Sequence, residues 1–386
     1  MTVLLAFDKF KDSLTARQAC DLTARALHDL HPDWRLDLCP LSDGGEGFAE
    51  ILTTAAGGQL ATLQVSGPRG DAVEATLGLV SLKKIPAAAR GRLSAENPEA
   101  LIAIAGMASA SGLALLPPEL REPWQTTSHG TGQLLQAAAE LRAAAIVLGV
   151  GGSATNDLGL GALGAIGLEF RDNDGKKIRP PIPAHWQKIA AIDGEVCPSI
   201  PPIHIACDVT NPLLGPNGAA TVYGPQKGLR PEDLARLEAE SARLARMLCA
   251  HCGQPESLME EPGAGAAGGL AFGLMCAAHA KLLPGFDLVA SWLGLDARLA
   301  AADLVVTGEG RFDRSSLSGK GPGAVVTRAL ALGKPVHVFA GEIAGESRAD
   351  LALHAITPAG TPLAQALRDA AANLNAAVRR APLSQS

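Results

Sequence analysis

The residues in this chain best suited to chemistry are acids that directly follow apolar runs. Asp8 comes after the run 3–7, Asp43 after 35–40, Asp208 after 203–207 and Glu309 after 304–307, while Asp157 follows 143–148 through a glycine loop. Such runs read as buried strands, and open α/β sheets bind ligands at the carboxyl ends of their strands. One acid there would be an ordinary turn or helix cap. Five of them, accompanied by Lys9, Lys11, Lys227, Arg311 and Lys320, form a pattern. Carboxylates hold Mg²⁺ and accept a hydroxyl proton, and lysine and arginine neutralise phosphate oxygens, so the set suits phosphoryl transfer.

The segment 203–228, IHIACDVTNPLLGPNGAATVYGPQKG, concentrates Asp208, Asn211, Asn217, Gln226 and Lys227 in one glycine- and proline-punctuated loop. Two glycine patterns accompany it: Gly149-x-Gly151-x-x-Ala154 after a strand, and Gly263-x-Gly265-x-x-Gly268 opening a helix. Both resemble dinucleotide fingerprints, but the first has no well-placed ribose-binding acid and the second follows no strand. Small residues that let backbone amides approach an anion make a phosphate cradle the better reading. A nicotinamide-dependent oxidoreductase is the rival, and a non-catalytic sugar-acid sensor a third reading. No Walker sequence, Gly-x-Ser-x-Gly elbow or HExxH motif occurs.

The elements that must position these residues alternate between strand and helix. Residues 3–7 read as a central strand, and Ala19, Leu22, Ala26, Leu27 and Leu30 recur at helical spacing behind a Thr15–Gln18 capping box. After a second strand and Ser42-Asp43-Gly44-Gly45-Glu46-Gly47, the pattern changes near residue 60 to a hairpin, 61–66 and 73–80, turned by Gly67-Pro68-Arg69-Gly70. The long uncharged runs 100–116 and 263–280 read as buried helices or close-packed loops. Doubly wound rhythm returns after Pro284, with strands at 304–307 and 336–340 and helices near 323–332 and 362–378. The expected fold is therefore α/β, with two α/β domains. A doubly wound, parallel-sheet, Rossmann-like domain (1–60 and 285–386) carries a second α/β domain inserted at 61–284, with the active site in the cleft.

At 386 residues, two domains are the natural expectation. A net charge of -6 leaves no electrostatic footprint for nucleic acid. The apolar start is too brief for a signal peptide, and the seven cysteines are scattered, so reduced thiols, a cytoplasmic location and no membrane span are expected. Cys249 and Cys252 form a lone CxxC around His251, read as helix filler.

The segments 7–14 (FDKFKDSL), 43–47 (DGGEG), 149–157 (GVGGSATND), 206–228, 262–269 and 307–311 (TGEGR), with Asp313, Gly319 and Lys320, closely resemble the type I family of bacterial glycerate kinases. They run in order along nearly the whole chain. Leu158 stands where that family usually has glycine. The resemblance implies an ATP-dependent kinase acting on D-glycerate with Mg²⁺, yielding 2-phosphoglycerate, as a monomer or homodimer. On it we base residue expectations. Asp43 is the base ahead of Asp208, and Lys320 steadies the transferring phosphoryl group. Asp8, Lys9, Lys11, Glu46, Arg311 and Asp313 bind substrate. Gly151, Gly152, Ser153, Thr155, Asn156, Asn211, Gln226, Lys227 and Gly265 bind the nucleotide, and Asp208, Asp157 and Glu309 hold the metal.

Overall fold

A computed structural model describes residues 1–313, 316, 321–345, 347 and 349–383. The chain is mixed α/β and divides into two compact units, Met1–Asp43 with Val289–Ser386, and Gly44–Leu288. Among the described residues there are thirteen strands, numbered here in chain order.

The first unit holds β1 (Thr2–Phe7), β2 (Arg35–Leu38), β11 (Leu304–Phe312), β12 (Val336–Ile343) and β13 (Leu351–Ala355). They form one parallel sheet in the order β13-β12-β11-β1-β2. Counted within the unit this is the 2-1-3-4-5 order of doubly wound folds, whose switch point lies between the first and third strands. Here those strands are β1 and β11, paired Phe7 to Gly308 at their carboxyl ends. The core forms because β1 is apolar on both faces: Val3, Leu5 and Phe7 pack with Leu27 of the helix Ala16–Leu30 and with Leu374 and Val378 of Ala370–Arg380. The first of these helices opens on the expected capping box, with Thr15 accepting from the Gln18 N–H and Gln18 from the Thr15 N–H.

The second unit contains β3 (Gln59–Ser66), β4 (Ala72–Ser81), β5 (Leu101–Gly106), β6 (Ala145–Gly149), β7 (Glu169–Arg171), β8 (Ala191–Asp193), β9 (Ile203–Cys207) and β10 (Lys281–Pro284). Its main sheet runs β10-β9-β6-β5-β4-β3, with β3 and β4 the expected antiparallel hairpin, β4 and β5 also antiparallel, and the other pairs parallel. The pair β7-β8 stands apart as a small antiparallel ribbon.

Two particulars differ from the sequence reading. Residues 101–106 form the central strand β5 instead of a helix or loop, because the apolar run continues into the short helix Met107–Ser111 and conceals the junction. Continuous apolar runs carry no period that separates strand from helix. The first unit also ends at Asp43, earlier than residue 60, because the helix Phe48–Ala55 packs on β4 and β5. Among the described residues no helix is long and apolar enough to cross a membrane.

Candidate active site

In the first unit, the ladder from β1 continues one residue past the strand, where the Asp8 N–H donates to the Gly308 carbonyl at 3.0 Å. That bond draws Asp8 down between β1 and β11 and leaves it only 8% exposed. Its Oδ1 accepts the Lys9 N–H at 2.7 Å. Past β2, Cys39 and Leu41 donate to the carbonyls of Leu5 and Phe7, which carries the chain alongside β1 as far as Asp43. Lys9 Nζ then reaches Asp43 Oδ1 at 3.0 Å, and the Asp43 side chain stays 48% exposed.

Burial pushes the Asp8 carboxyl up to about 7, helped by the Asp43 charge and opposed by Lys9. Glu309, in the last part of β11, is also pushed up to about 7, by burial first and then by Asp313 and Asp43, against a hydrogen bond from Ser316. Its Oε1 is buried and has no hydrogen-bond partner. Arg311 lies on the same strand end, with Nε 3.1 Å from Asp313 Oδ2 and Nη1 3.8 Å from Glu342. Lys11 is exposed on the turn after Phe10. Lys320 falls outside the described residues.

In the second unit, the glycine loop after β6 needs its glycines for close approach. A Cβ on Gly151 would meet Gly45 N at 2.8 Å, and Gly152 is left-handed at φ 71° with Glu46 beside it. Lys227 anchors the far end of the loop. It is buried and donates from Nζ to Ser153 Oγ (2.9 Å), the Thr155 carbonyl (2.7 Å) and Asn156 Oδ1 (3.2 Å). Burial pulls this lysine down to about 7. Lys227 therefore shapes the loop from behind; it does not present its charge at the surface. Thr155 Oγ1 and Asn156 Nδ2 are buried without hydrogen-bond partners.

Asp157 departs furthest from expectation. Its fully buried carboxylate accepts the Ser128 N–H and hydroxyl (2.7 and 2.8 Å), the Gly159 N–H (3.2 Å) and the Gly161 N–H (3.3 Å). Burial raises its pKa and those bonds oppose the rise. With donors on both oxygens, the carboxylate ties the glycine loop to the start of the helix His129–Glu140 and to Gly159 and Gly161. Asp208 follows β9 as expected, but its Oδ2 accepts the Phe286 N–H at 2.9 Å, at the start of the helix Gly285–Leu293. Asn211 is held by the Asn217 carbonyl and the Tyr223 hydroxyl. Gly265 donates to the Asn211 carbonyl, and a Cβ there would strike the Pro212 carbonyl at 2.3 Å. Gln226 is exposed.

The expected residues thus sort into local groups. Asp8, Lys9, Asp43 and Glu309, with Arg311 and Asp313, influence one another at one strand end of the first unit. Ser153, Thr155, Asn156 and Lys227 share the glycine loop. Among the described residues there is no group of three or more His, Cys, Asp or Glu side chains that could hold a metal ion. Sequence reading missed Ser128, the chief partner of Asp157. The signal for it was available in Thr126-Thr127-Ser128 ahead of the helix His129–Glu140, residue types that favour helix starts.

Comparison with known proteins gives this geometry a context. Residues 3–383 match the model of the glycerate kinase family. A glycerate kinase of Halalkalibacterium halodurans is 38% identical over 345 residues, covering 89% of this chain and 86% of that one. The glycerate 2-kinase of Escherichia coli K12 is 35% identical over 349 residues, with 89% and 86% covered. A crystal structure described as glycerate kinase 2 from Salmonella typhimurium LT2 superimposes with a TM-score of 0.75 at 35% identity, covering 98% of this chain and 96% of that one. The chain is an enzyme of the kinase class, and it belongs to the glycerate kinase family.

Proposed function

We propose that this enzyme transfers the terminal phosphoryl group of ATP to D-glycerate in the presence of Mg²⁺, giving 2-phosphoglycerate within glyoxylate or related sugar-acid catabolism in the cytoplasm. One observation carries the reading: on a chain of this family, two carboxyls raised to about 7, Asp8 and Glu309, lie at the ends of the strands flanking the switch point. The name of the E. coli relative supports the 2-position.

The base is better assigned to Asp8 than to Asp43. Asp43 is half exposed and ion-paired with Lys9, whereas burial makes Asp8 basic enough to take a hydroxyl proton near neutral pH. Asp43 then acts as the neighbouring charge that keeps Asp8 basic. Lys9 and Arg311 are the cations for the glycerate carboxylate, and Lys320 keeps its assignment to the phosphoryl group. The amides of the glycine loop suit nucleotide phosphates, with Lys227 fixing their direction. Mg²⁺ usually takes one or two protein carboxylates besides phosphates and water. Glu309 fits that need through its buried, unpartnered Oε1, while Asp157 does not. When bound, the ion would supply positive charge to the phosphate oxygens.

A coupled assay of ADP formation with glycerate, glycerol, tartronate and hydroxypyruvate tests the reaction, and NMR of the product identifies the phosphorylated carbon. Turnover with glycerate alone and phosphate on C2 are expected. Absence of ADP formation with glycerate would discard the reading.

A further inference from the structure

A cavity of about 490 Å³ opens in the second unit, and none of the residues assigned above lines it. Its floor is apolar: Leu168 and Phe170 belong to the buried core of the unit, Ile178 packs against that core, and Ile182 is buried as well. Packing therefore fixes this surface before anything binds. The charged part of the lining comprises Arg69, Arg179 and Glu169. Glu169 is already matched by Lys177, by Arg171 at 2.6 Å and by Arg179 at 3.8 Å, so the rim is cationic in sum. Arg69 lies 3.9 Å from Glu122 and donates to the Leu120 carbonyl, which holds its guanidinium at the edge.

One polar wall is formed by Gln125, Thr127 and His129. It is braced from the other side, because Thr126 Oγ1 donates to the Ala154 carbonyl at 3.3 Å and Ser128 binds Asp157. The cavity is thus preformed, partly apolar and edged by two guanidiniums, within the size range of small-molecule sites. Arginine forks match carboxylate and phosphate oxygens in pairs. Glycerate has no apolar body to cover the floor.

We infer that this cavity is a second binding site, for a small organic anion with an apolar body. Its carboxylate or phosphate meets Arg69 and Arg179, and its ring or branched chain lies on Phe170, Ile178 and Ile182. The inference goes beyond the kinase reaction and stands whether or not that reading holds.

The test is a fluorescence titration of the full chain with 8-anilinonaphthalene-1-sulfonate, which joins an aromatic body to an anion. Wild type is compared with Gly164→Leu and Arg69→Gln, after circular dichroism confirms native folding. Gly164 lines the cavity and a Cβ there meets only Phe170 at 3.7 Å, so a leucine grows into the space without a backbone clash. Saturable binding at one site is expected, at least tenfold weaker in each variant and unaffected by saturating ATP, Mg²⁺ and glycerate. Phenylpropionate and phenyl phosphate, as competitors, tell carboxylate from phosphate ligands. Unsaturable binding, equal affinity in both variants, displacement by ATP, or displacement by neither competitor would each overturn the inference. Displacement by ATP would give the cavity to the nucleotide.

Discussion

Asp8 and Asp157 make an instructive pair. Each follows a central strand of its own unit, each is buried, and burial raises both carboxyls. They differ in company. Asp157 accepts hydrogen bonds from Ser128 (two), Gly159 and Gly161, whereas Asp8 has Asp43 and Glu309 among its neighbours, and Glu309 keeps a buried oxygen without a partner. A strand-end acid is therefore informative only once its donors are counted. Saturated oxygens tie a loop; unsaturated ones in mutual repulsion are suited to protons and cations.

The contrast can be broken in three ways. The largest effect expected is in Asp8→Asn, with turnover falling about 10²- to 10⁴-fold while the KM for ATP changes little. Asp43→Asn should cost less turnover and move the acid limb of kcat/KM to lower pH, because the charge raising Asp8 is gone. A greater loss in Asp43→Asn than in Asp8→Asn would return the base to Asp43. Next, Asp157→Ala should lower stability by about 3–5 kcal/mol in urea titration, since four donations lose their acceptor in a buried site. Normal stability with lost turnover would put Asp157 in the chemistry after all.

The smallest effect concerns pH. Asp8 and Glu309 bind protons more tightly folded than unfolded, so their contribution is complete below about pH 4. It is lost as pH rises towards 7. The unliganded wild type should accordingly lose more stability between pH 5 and pH 8 than the double variant Asp8→Asn, Glu309→Gln. Equal losses would mean that the two carboxyls are not raised.

Much of the fold was legible because its signals are local. The Thr15–Gln18 cap lies within four residues and the 67–70 turn within one hairpin, so composition and spacing announce both. The strand 101–106 was not legible, for want of any break before residue 107. The strand-end rule picked out Asp8, Asp43 and Glu309, which the fold makes neighbours, but it could not tell the saturated Asp157 from them. What distinguishes Asp157 is Ser128, which is 29 positions away and meets it only through folding. The position of Lys227 behind the glycine loop was not legible for the same reason: its three acceptors lie more than 70 positions back along the chain. Leu158, where glycine had been usual, adopts φ 56°, a conformation that favours glycine, and its side chain packs in the core.

The parallel pairing of β1 with β11 has a consequence for the order of synthesis. Val3 pairs with Leu36 on one side and with Leu304 on the other, so the first strand made soon meets β2 but waits about three hundred residues for its second neighbour. Gly44–Leu288 has its own core and can fold while the chain is still emerging, since domains generally fold as units. Val3, Leu5 and Phe7 cannot be fully covered until the C-terminal strands and the helix Ala370–Arg380 arrive. Asp8 and Glu309 thus come together late, and a nascent chain stalled before β11 would hold a folded glycine loop and no working site.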